Sequence, residues 1–407
     1  MKKTILSLLI LPLLLSACCN DNNGTRLQQI RPEMAGMSSA QLSLADEVIN
    51  AAIQRGETPG AVLAVVRKDK LVYLKAYGNK SVFPDTVAMT TETIFDMASV
   101  SKCVGTTLSF MQLVQNGKVR LLDPVSMYIP GFEPYTDPET GRKTNIRVVD
   151  VLTHTSGLPS YASPEVVLAK YGEQTPEAVI NWISTCQPES RPTTRFEYSC
   201  LNFVTIQNIL QNITGERLCD YAQKNVFDVL GLKYTTYFPI GQEIDPAIKA
   251  MIAPTEVVDG KAYLGEVHDP LARVLNKGNS GNAGLFSNAE DLAVVAAALM
   301  NGGEYHGRRI LGKLTVETMT RVPSQVARFG RSLGWDNYSD YASNNGNLFD
   351  PVNTYGHTGY TGTSMVIDPT SQTAVILLTN RVHPADNTSV VRMRALVANI
   401  VAGAIIE

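Results

Sequence analysis

Strand-like segments stand at both ends of this chain, and helix-like segments fill the space between them. Residues 61–67 and 71–77 read as two strands around an Asp69-Lys70 turn, and strand character returns late, at 363–367 and 374–378. Helical spacing of apolar residues marks 41–54 ahead of the first strands, then 102–115, 176–185, 202–211, 217–230 and 289–300, with a last amphipathic stretch from about 390 to 406. This order implies one sheet completed by distant segments, with a helical lobe inserted into it. The expected class is α/β (α+β): an antiparallel sheet from about residues 58–90 and 300–407, flanked by helices, with the lobe over about 91–299. No repeat period is visible.

Composition fits that reading. With 407 residues, 44% hydrophobic and 18% charged, the chain can bury a sizeable core, which excludes disordered, collagen-like and multi-span membrane classes. Lys+Arg 35 against Asp+Glu 38 gives a formal net charge of -3, and no dense basic run could track a phosphate backbone. Nucleic acid is therefore not an expected partner.

The beginning of the chain reads as an address. Lys2 and Lys3 precede an apolar run from residue 5 to 15, followed by Ser16, Ala17 and Cys18, the charged, apolar and small-residue order of a secretory signal. The run is shorter than the roughly 20 residues a bilayer-spanning helix needs. Leu15-Ser16-Ala17-Cys18 also resembles the lipobox of bacterial lipoproteins, where cleavage leaves a lipid-modified cysteine as the new N-terminus. The expectation is a signal peptide over 1–17, a lipidated Cys18 with a polar tether over 18–39, and one domain over 40–407. The protein would then be held on a membrane outside the cytoplasm, in the cell envelope, with plain secretion as the alternative.

The chemistry starts at Ala98-Ser99-Val100-Ser101-Lys102. A serine hydroxyl is a weak nucleophile that needs a base beside it, and helix positions i and i+3 share a face, so Ser99 and Lys102 can meet. The helix start adds free backbone N–H groups and the positive end of the helix dipole. Taken alone the pattern is weak, and a capping serine beside a solvated lysine would explain it as well. Two further elements follow in order: Tyr198-Ser199-Cys200 ahead of a helical segment, and His357-Thr358-Gly359-Tyr360, which reads as the start of a glycine-rich turn before a strand.

With these three elements the chain resembles the β-lactamase and penicillin-binding-protein superfamily, in its class C-like branch, which also holds D,D-carboxypeptidases, D-aminopeptidases and esterases. Pro59-Gly60-Ala61, Phe95-Asp96-Met97-Ala98-Ser99, Leu122-Asp123-Pro124-Val125, Leu152-Thr153-His154-Thr155-Ser156-Gly157-Leu158 and Ala283-Gly284-Leu285-Phe286-Ser287 carry the same likeness, from about residue 40 onward. The resemblance implies a β-lactamase/transpeptidase-like fold, Ser99 as acylated nucleophile, Lys102 as its proton acceptor and Tyr198 as a second acid/base group. It also implies an oxyanion hole from the backbone N–H groups of Ser99 and Tyr360, with residues 357–360 and Cys200 lining the substrate site.

Two positions depart from the family pattern. Tyr-x-Asn becomes Tyr198-Ser199-Cys200, so a side-chain amide that would hold a substrate carbonyl is replaced by a weakly hydrogen-bonding thiol. Asn202 is two residues too far along to be expected in its place. Histidine at 357 stands where many β-lactamases have lysine, and near neutral pH an imidazole offers a hydrogen bond more often than a charge; a histidine that only fixes a turn is the plainer alternative.

The remaining candidates carry less. Cys103, Cys186, Cys200 and Cys219 show no disulfide framework or metal knuckle and read as small buried hydrophobes. His154 is expected to shape a turn, and His268 beside Asp269 is the one hint of a metal site, without the clustered ligands such a site needs. No metal or other cofactor is expected. Gly278, Gly281 and Gly284 read as a flexible turn, and residues 335–354 as a polar, aromatic loop that forms a wall of the site. The leading expectation is an exported serine hydrolase acting through a Ser acyl-enzyme on amides or esters, with a small molecule or peptide as substrate. A small-ester esterase or acyltransferase is the second reading, and a binding lipoprotein that has lost turnover the third.

Overall fold

The protein, described here by a computed structural model, is described over residues 26–407. The expected signal segment and Cys18 lie outside the described residues. Among the described residues no helix is long and apolar enough to cross a membrane.

Helix α1 (Ser39–Gln54) begins where the Ser38 side chain accepts the Gln41 N–H as an N-cap. It lays Leu42, Ala45, Ile49 and Ala52 on the sheet. Strands β1 (Gly60–Arg67) and β2 (Lys70–Ser81) form the early hairpin, extended by β3 (Val87–Ala88). The turn sits one residue earlier than expected: Lys68 and Asp69 both have positive φ, 48° and 62°, the backbone of a two-residue hairpin turn that matches strand twist.

The helical lobe supplies α2 (Leu108–Gln115), α3 (Cys200–Thr214) and α4 (Ala289–Met300). The predicted helix over 217–230 is present as one continuous helical run from Leu218 to Leu230, with a π-helical turn at Gln223–Phe227 in the middle. The chain then returns as β4 (Tyr355–Thr358), β5 (Ser364–Asp368) and β6 (Thr373–Thr379), and ends on α5 (Val391–Gly403).

These strands form one six-stranded sheet, ordered β4-β5-β6-β1-β2-β3 and antiparallel at every step. The closing contact pairs β1 with β6, from Ala61 opposite Thr379 to Arg67 opposite Thr373. Every β1 residue is buried because helices cover both faces. Ala61, Leu63 and Val65 pack with α1 and α5, whereas Val62, Ala64 and Val66 share a core with α4 and the lobe. At about 1.5–3 kcal/mol for each large aliphatic side chain buried, this two-sided strand is the anchor that joins the two ends of the chain.

The structure corrects one local expectation. His357 does not begin a turn; it lies within β4, opposite Met365. The expected glycine-rich turn before a strand follows at 359–362, ahead of β5, and on the strand side Gly356 allows close approach, since a Cβ on it would meet the Met365 carbonyl at 2.3 Å.

Candidate active site

Residues from three distant segments meet in one cleft. The first is the turn that carries Ser99. Ala98 adopts the left-handed backbone region, φ 45°, a conformation that costs a non-glycine residue roughly 1–2 kcal/mol. Neighbours hold it there: the Asp96 carboxylate accepts the N–H of Ala98 at 2.8 Å and of His268 at 2.7 Å. The Thr361 and Thr363 hydroxyls donate to the carbonyls of Asp96 and Met97, at 2.8 and 3.0 Å. Gly359 lies so close to this turn that a Cβ would stand 2.5 Å from the Met97 carbonyl and 2.1 Å from Thr363 Oγ1.

The following helix is π-helical over Lys102–Thr107 before α2 takes over, and the Thr107 hydroxyl caps the extra turn by donating to the Lys102 carbonyl at 2.7 Å. Lys102 is completely buried. Its Nζ lies 2.9 Å from Ser99 Oγ, 2.8 Å from the Asn282 carbonyl and 3.6 Å from Cys200 Sγ. The carbonyl can only accept, so Lys102 always spends one proton there; toward Ser99 it can donate as an ammonium or accept as an amine. The segment that includes Asn282 is not a loose turn, because the Gly281 N–H donates to Gln207 and its carbonyl accepts from Thr106.

Tyr198 comes from the approach to α3. Ser199 donates its N–H to His154 Nδ1 at 3.1 Å and its hydroxyl to the Pro159 carbonyl at 2.6 Å, while the Cys200 N–H reaches Ser160. His154 turns the chain with φ 58°, as its sequence context suggested, and its ring also stacks on Tyr198 at a centroid distance of 4.5 Å. Since Nδ1 accepts, the imidazole proton sits on Nε2, which has no protein partner among the described residues. Lys102 Nζ lies 5.1 Å from the centre of the Tyr198 ring. Asn202 points away from the cleft, to Ser156 and His154.

His357 is the third arrival. Its Nδ1 donates to the Thr358 carbonyl at 2.8 Å, and Nε2 accepts from Arg331 Nη2 at 3.3 Å. Arg331 and its partner Asp336, joined at 2.9 Å, are both buried. Neither was singled out in the sequence, where Gly330-Arg331-Ser332-Leu333 carries no motif. The expected aromatic loop does reach the cleft through Asp336 and Tyr341, the latter stacked 6.0 Å from Tyr198, while Trp335 turns inward against Tyr355. The cavity measures about 300 Å³, and its lining includes Ser99, Tyr198, Arg331, His357 and Tyr360.

Charge in this cleft is shared. Burial raises the Tyr198 phenol above its ordinary value, and the nearby Lys102 and Arg331 charges oppose that without cancelling it. Burial works against the Lys102 ammonium, but negative charge offered by Cys200 and Tyr198 outweighs it and holds Lys102 above the usual lysine value. Burial also raises the Cys200 thiol, whose Sγ lies beside Lys102 Nζ in the cleft. His154 and His357 lie well below the ordinary imidazole value, first through burial and then through the positive charges of Arg331 and Lys102. Both rings are neutral at physiological pH.

Among the described residues, the backbone N–H groups of Ser99 and Tyr360 make no hydrogen bond to protein. The Tyr360 side chain leans outward, 58% exposed, with its hydroxyl on Asp386. His268 does not gather metal ligands around it; it stacks beside Tyr360 and faces Glu256 at 3.3 Å. The four described cysteines are all free.

Known proteins place this arrangement in a family. The Beta-lactamase family profile matches residues 45–399. The N-acetylmuramyl-L-alanine amidase of Bacillus subtilis (strain 168) is 32% identical over 391 residues, 89% of this chain and 87% of that protein. A protein of Escherichia coli (strain K12) named "Putative D-alanyl-D-alanine carboxypeptidase" is 30% identical over 407 residues, covering 94% and 92%. Among solved structures, EstCE1, a hydrolase with promiscuous acyltransferase activity, shares the fold with a TM-score of 0.71 at 23% identity, covering 90% of this chain and 100% of that one. A class C beta lactamase from Rhodobacter sphaeroides has a TM-score of 0.65 at 19% identity, covering 88% and 98%. The chain belongs to the Beta-lactamase family and is a serine hydrolase with the β-lactamase/transpeptidase-like fold.

Proposed function

We propose that the protein hydrolyses amide bonds of D-amino-acid-containing cell-wall peptides through an acyl-enzyme at Ser99, working in the cell envelope on a lipid anchor at Cys18. The observation that carries this reading is the 2.9 Å contact between Ser99 Oγ and a fully buried Lys102 Nζ, beside Tyr198 in the same cleft. The names of the amidase and carboxypeptidase relatives support the substrate class.

Ser99 Oγ attacks the substrate carbonyl carbon. Its proton passes to the Lys102–Tyr198 pair, and the oxyanion is met by the free N–H groups of Ser99 and Tyr360. Collapse breaks the carbon–nitrogen bond, and the pair returns the proton to the departing amine. Water then attacks the ester, gives a proton to the same pair, and releases a carboxylic acid with the Ser99 hydroxyl restored. The pair is competent when it has lost one proton in total, because only then can it accept another.

A second reading is a small-ester esterase or acyltransferase. It is favoured by Cys200, which gives a substrate amide little to hold, and by the uncharged His357.

A fluorophosphonate probe or a labelled penicillin is expected to mark the protein and not its Ser99→Ala variant; labelling that survives the substitution removes the assignment. Parallel assays on D-Ala-D-Ala peptides, p-nitrophenyl esters and nitrocefin separate the two readings. A preference for simple esters by orders of magnitude selects the second. Incorporation of radiolabelled palmitate, lost in Cys18→Ala, tests the anchor.

A further inference from the structure

His357 leaves a gap in the electrostatics of the cleft. Its Nδ1 proton is committed to the Thr358 carbonyl and its Nε2 lone pair to Arg331, so the residue brings geometry to the cleft and no charge. Yet Tyr198 has to give up a proton while half-buried among aromatic side chains. The groups near Tyr198 are Lys102, Cys200 and Ser99 on the nucleophile side, the stacked rings of His154 and Tyr341, His357 from the sheet edge, and Arg331. Of these only Lys102 and Arg331 carry positive charge, and Lys102 is itself a partner in the proton exchange. Arg331 is the fixed one.

Its placement fits that task. The guanidinium carbon lies 5.6 Å from the ring centres of both Tyr198 and Phe196. Nη1 is held by Asp336 at 2.9 Å, and Asp336 is itself fixed by the Ser339 hydroxyl at 2.6 Å, while Nη2 is the end turned to His357. Nε has no protein partner among the described residues. A buried guanidinium with an unused donor, set on the wall of a catalytic cavity, goes beyond what tying a loop to a strand requires.

We propose that Arg331, positioned by Asp336, supplies the standing positive charge that lets Tyr198 release its proton, and that it holds His357 as a neutral hydrogen-bonding group. Arg331 is thus a positioning residue for the acid/base pair, doing from just ahead of the 335–354 loop the electrostatic work that the imidazole at 357 does not do. The proposal rests on reading Tyr198 as an acid/base group. The charge acts through a few ångströms of poorly screened interior, so it persists at ionic strengths that would mask a surface charge.

The test is the pH dependence of kcat/KM for p-nitrophenyl butyrate, read from neutral to alkaline pH, where a histidine relieved of Arg331 is uncharged. The double variant Arg331→Met, Asp336→Asn removes the guanidinium without leaving an orphaned carboxylate. Its rising limb is expected about one pH unit higher than that of the parent protein. Adding His357→Lys to that variant returns a cation to the cleft and brings the limb back, and Arg331→Lys alone leaves it in place. Asp336→Asn alone, which keeps the guanidinium and removes its counter-charge, moves the limb to lower pH and serves if the double variant does not fold. An unmoved limb in a folded variant that still labels at Ser99 overturns the proposal alone. Loss of Ser99-dependent labelling in the parent protein overturns instead the reading on which it rests.

Discussion

The imidazole of His154 lies against the phenol of Tyr198, ring centres 4.5 Å apart, and its Nδ1 takes the N–H of the very next residue, Ser199. One side chain thus supports both the ring and the backbone that aims it. His154→Phe keeps a ring for stacking and removes the acceptor, leaving the Ser199 N–H buried without a partner. The variant is expected to lose about 1–3 kcal/mol in urea unfolding. Its kcat on a p-nitrophenyl ester is expected to fall about tenfold with KM little changed, because the proposed role of Tyr198 is at the reacting atoms and not at the remote parts of a substrate.

Gly359 is the point where the returning strand meets the nucleophile turn. In Gly359→Ala the new methyl group would stand 2.1 Å from Thr363 Oγ1 and 2.5 Å from the Met97 carbonyl, so one side of the contact has to move. Overpacking of this kind costs roughly 1–3 kcal/mol. The melting temperature is expected to drop, and fluorophosphonate labelling of Ser99 to slow, since the displaced partner is the backbone just before it. Labelling at the parental rate would separate the turn from the strand.

Lys102→Met replaces a buried ammonium by an apolar chain of similar length. Ser99 loses the amine beside it, and kcat/KM is expected to fall about 100- to 10,000-fold. The thermal transition is expected to stay near that of the parent protein, because the cost of burying the charge disappears together with its hydrogen bonds. Differential scanning calorimetry and ester kinetics on the same preparation check both halves.

His154 and His357 are buried with their folded pKa values well below the ordinary value. In the unfolded chain each takes a proton near pH ~6.5, while in the folded protein each stays neutral until more acidic pH. The unfolded state therefore binds more protons as pH falls through ~6.5, and stability declines from there down to the folded pKa values. Urea midpoints measured against pH should show this loss, with a shallower slope in His357→Gln.

Cys200 is raised by burial, so little thiolate exists at neutral pH despite the nearby Lys102. Iodoacetamide is expected to modify it far more slowly than a free thiol, and modification, once achieved, to block the cleft. Cys200→Asn restores a side chain that can hold a substrate carbonyl. It is expected to raise amide turnover relative to ester turnover, as measured on paired amide and ester substrates.

Ser99, Lys102 and Tyr198 were visible as candidates through the resemblance carried by three ordered motifs, since Ser99 and Lys102 three apart, taken alone, fit a helix cap as well. The sheet was legible in the apolar pattern, since residues 61–67 form a nearly continuous apolar run that only a strand covered on both faces explains. Arg331, Asp336 and Asn282 were not legible. Their roles come from tertiary placement, a guanidinium against two rings and a main-chain carbonyl against an ammonium, and neither leaves a pattern along the chain. The turn expected to begin at His357 begins two residues later, at Gly359, because β4 runs on through Thr358 to keep its pairing with Ser364.

The pairing of Ala61 with Thr379 and the clasp of Thr361 and Thr363 on Asp96 and Met97 have a consequence for biogenesis. The Ser99 hydroxyl belongs to the first quarter of the polypeptide, while the Thr361 and Thr363 hydroxyls that hold the turn before it come from the last fifth. A nascent chain, emerging from a ribosome or threading a translocon, holds an unaimed serine until that final stretch has joined it. Contacts of such long sequence separation form slowly, so the cleft around Ser99 is completed late, by topology.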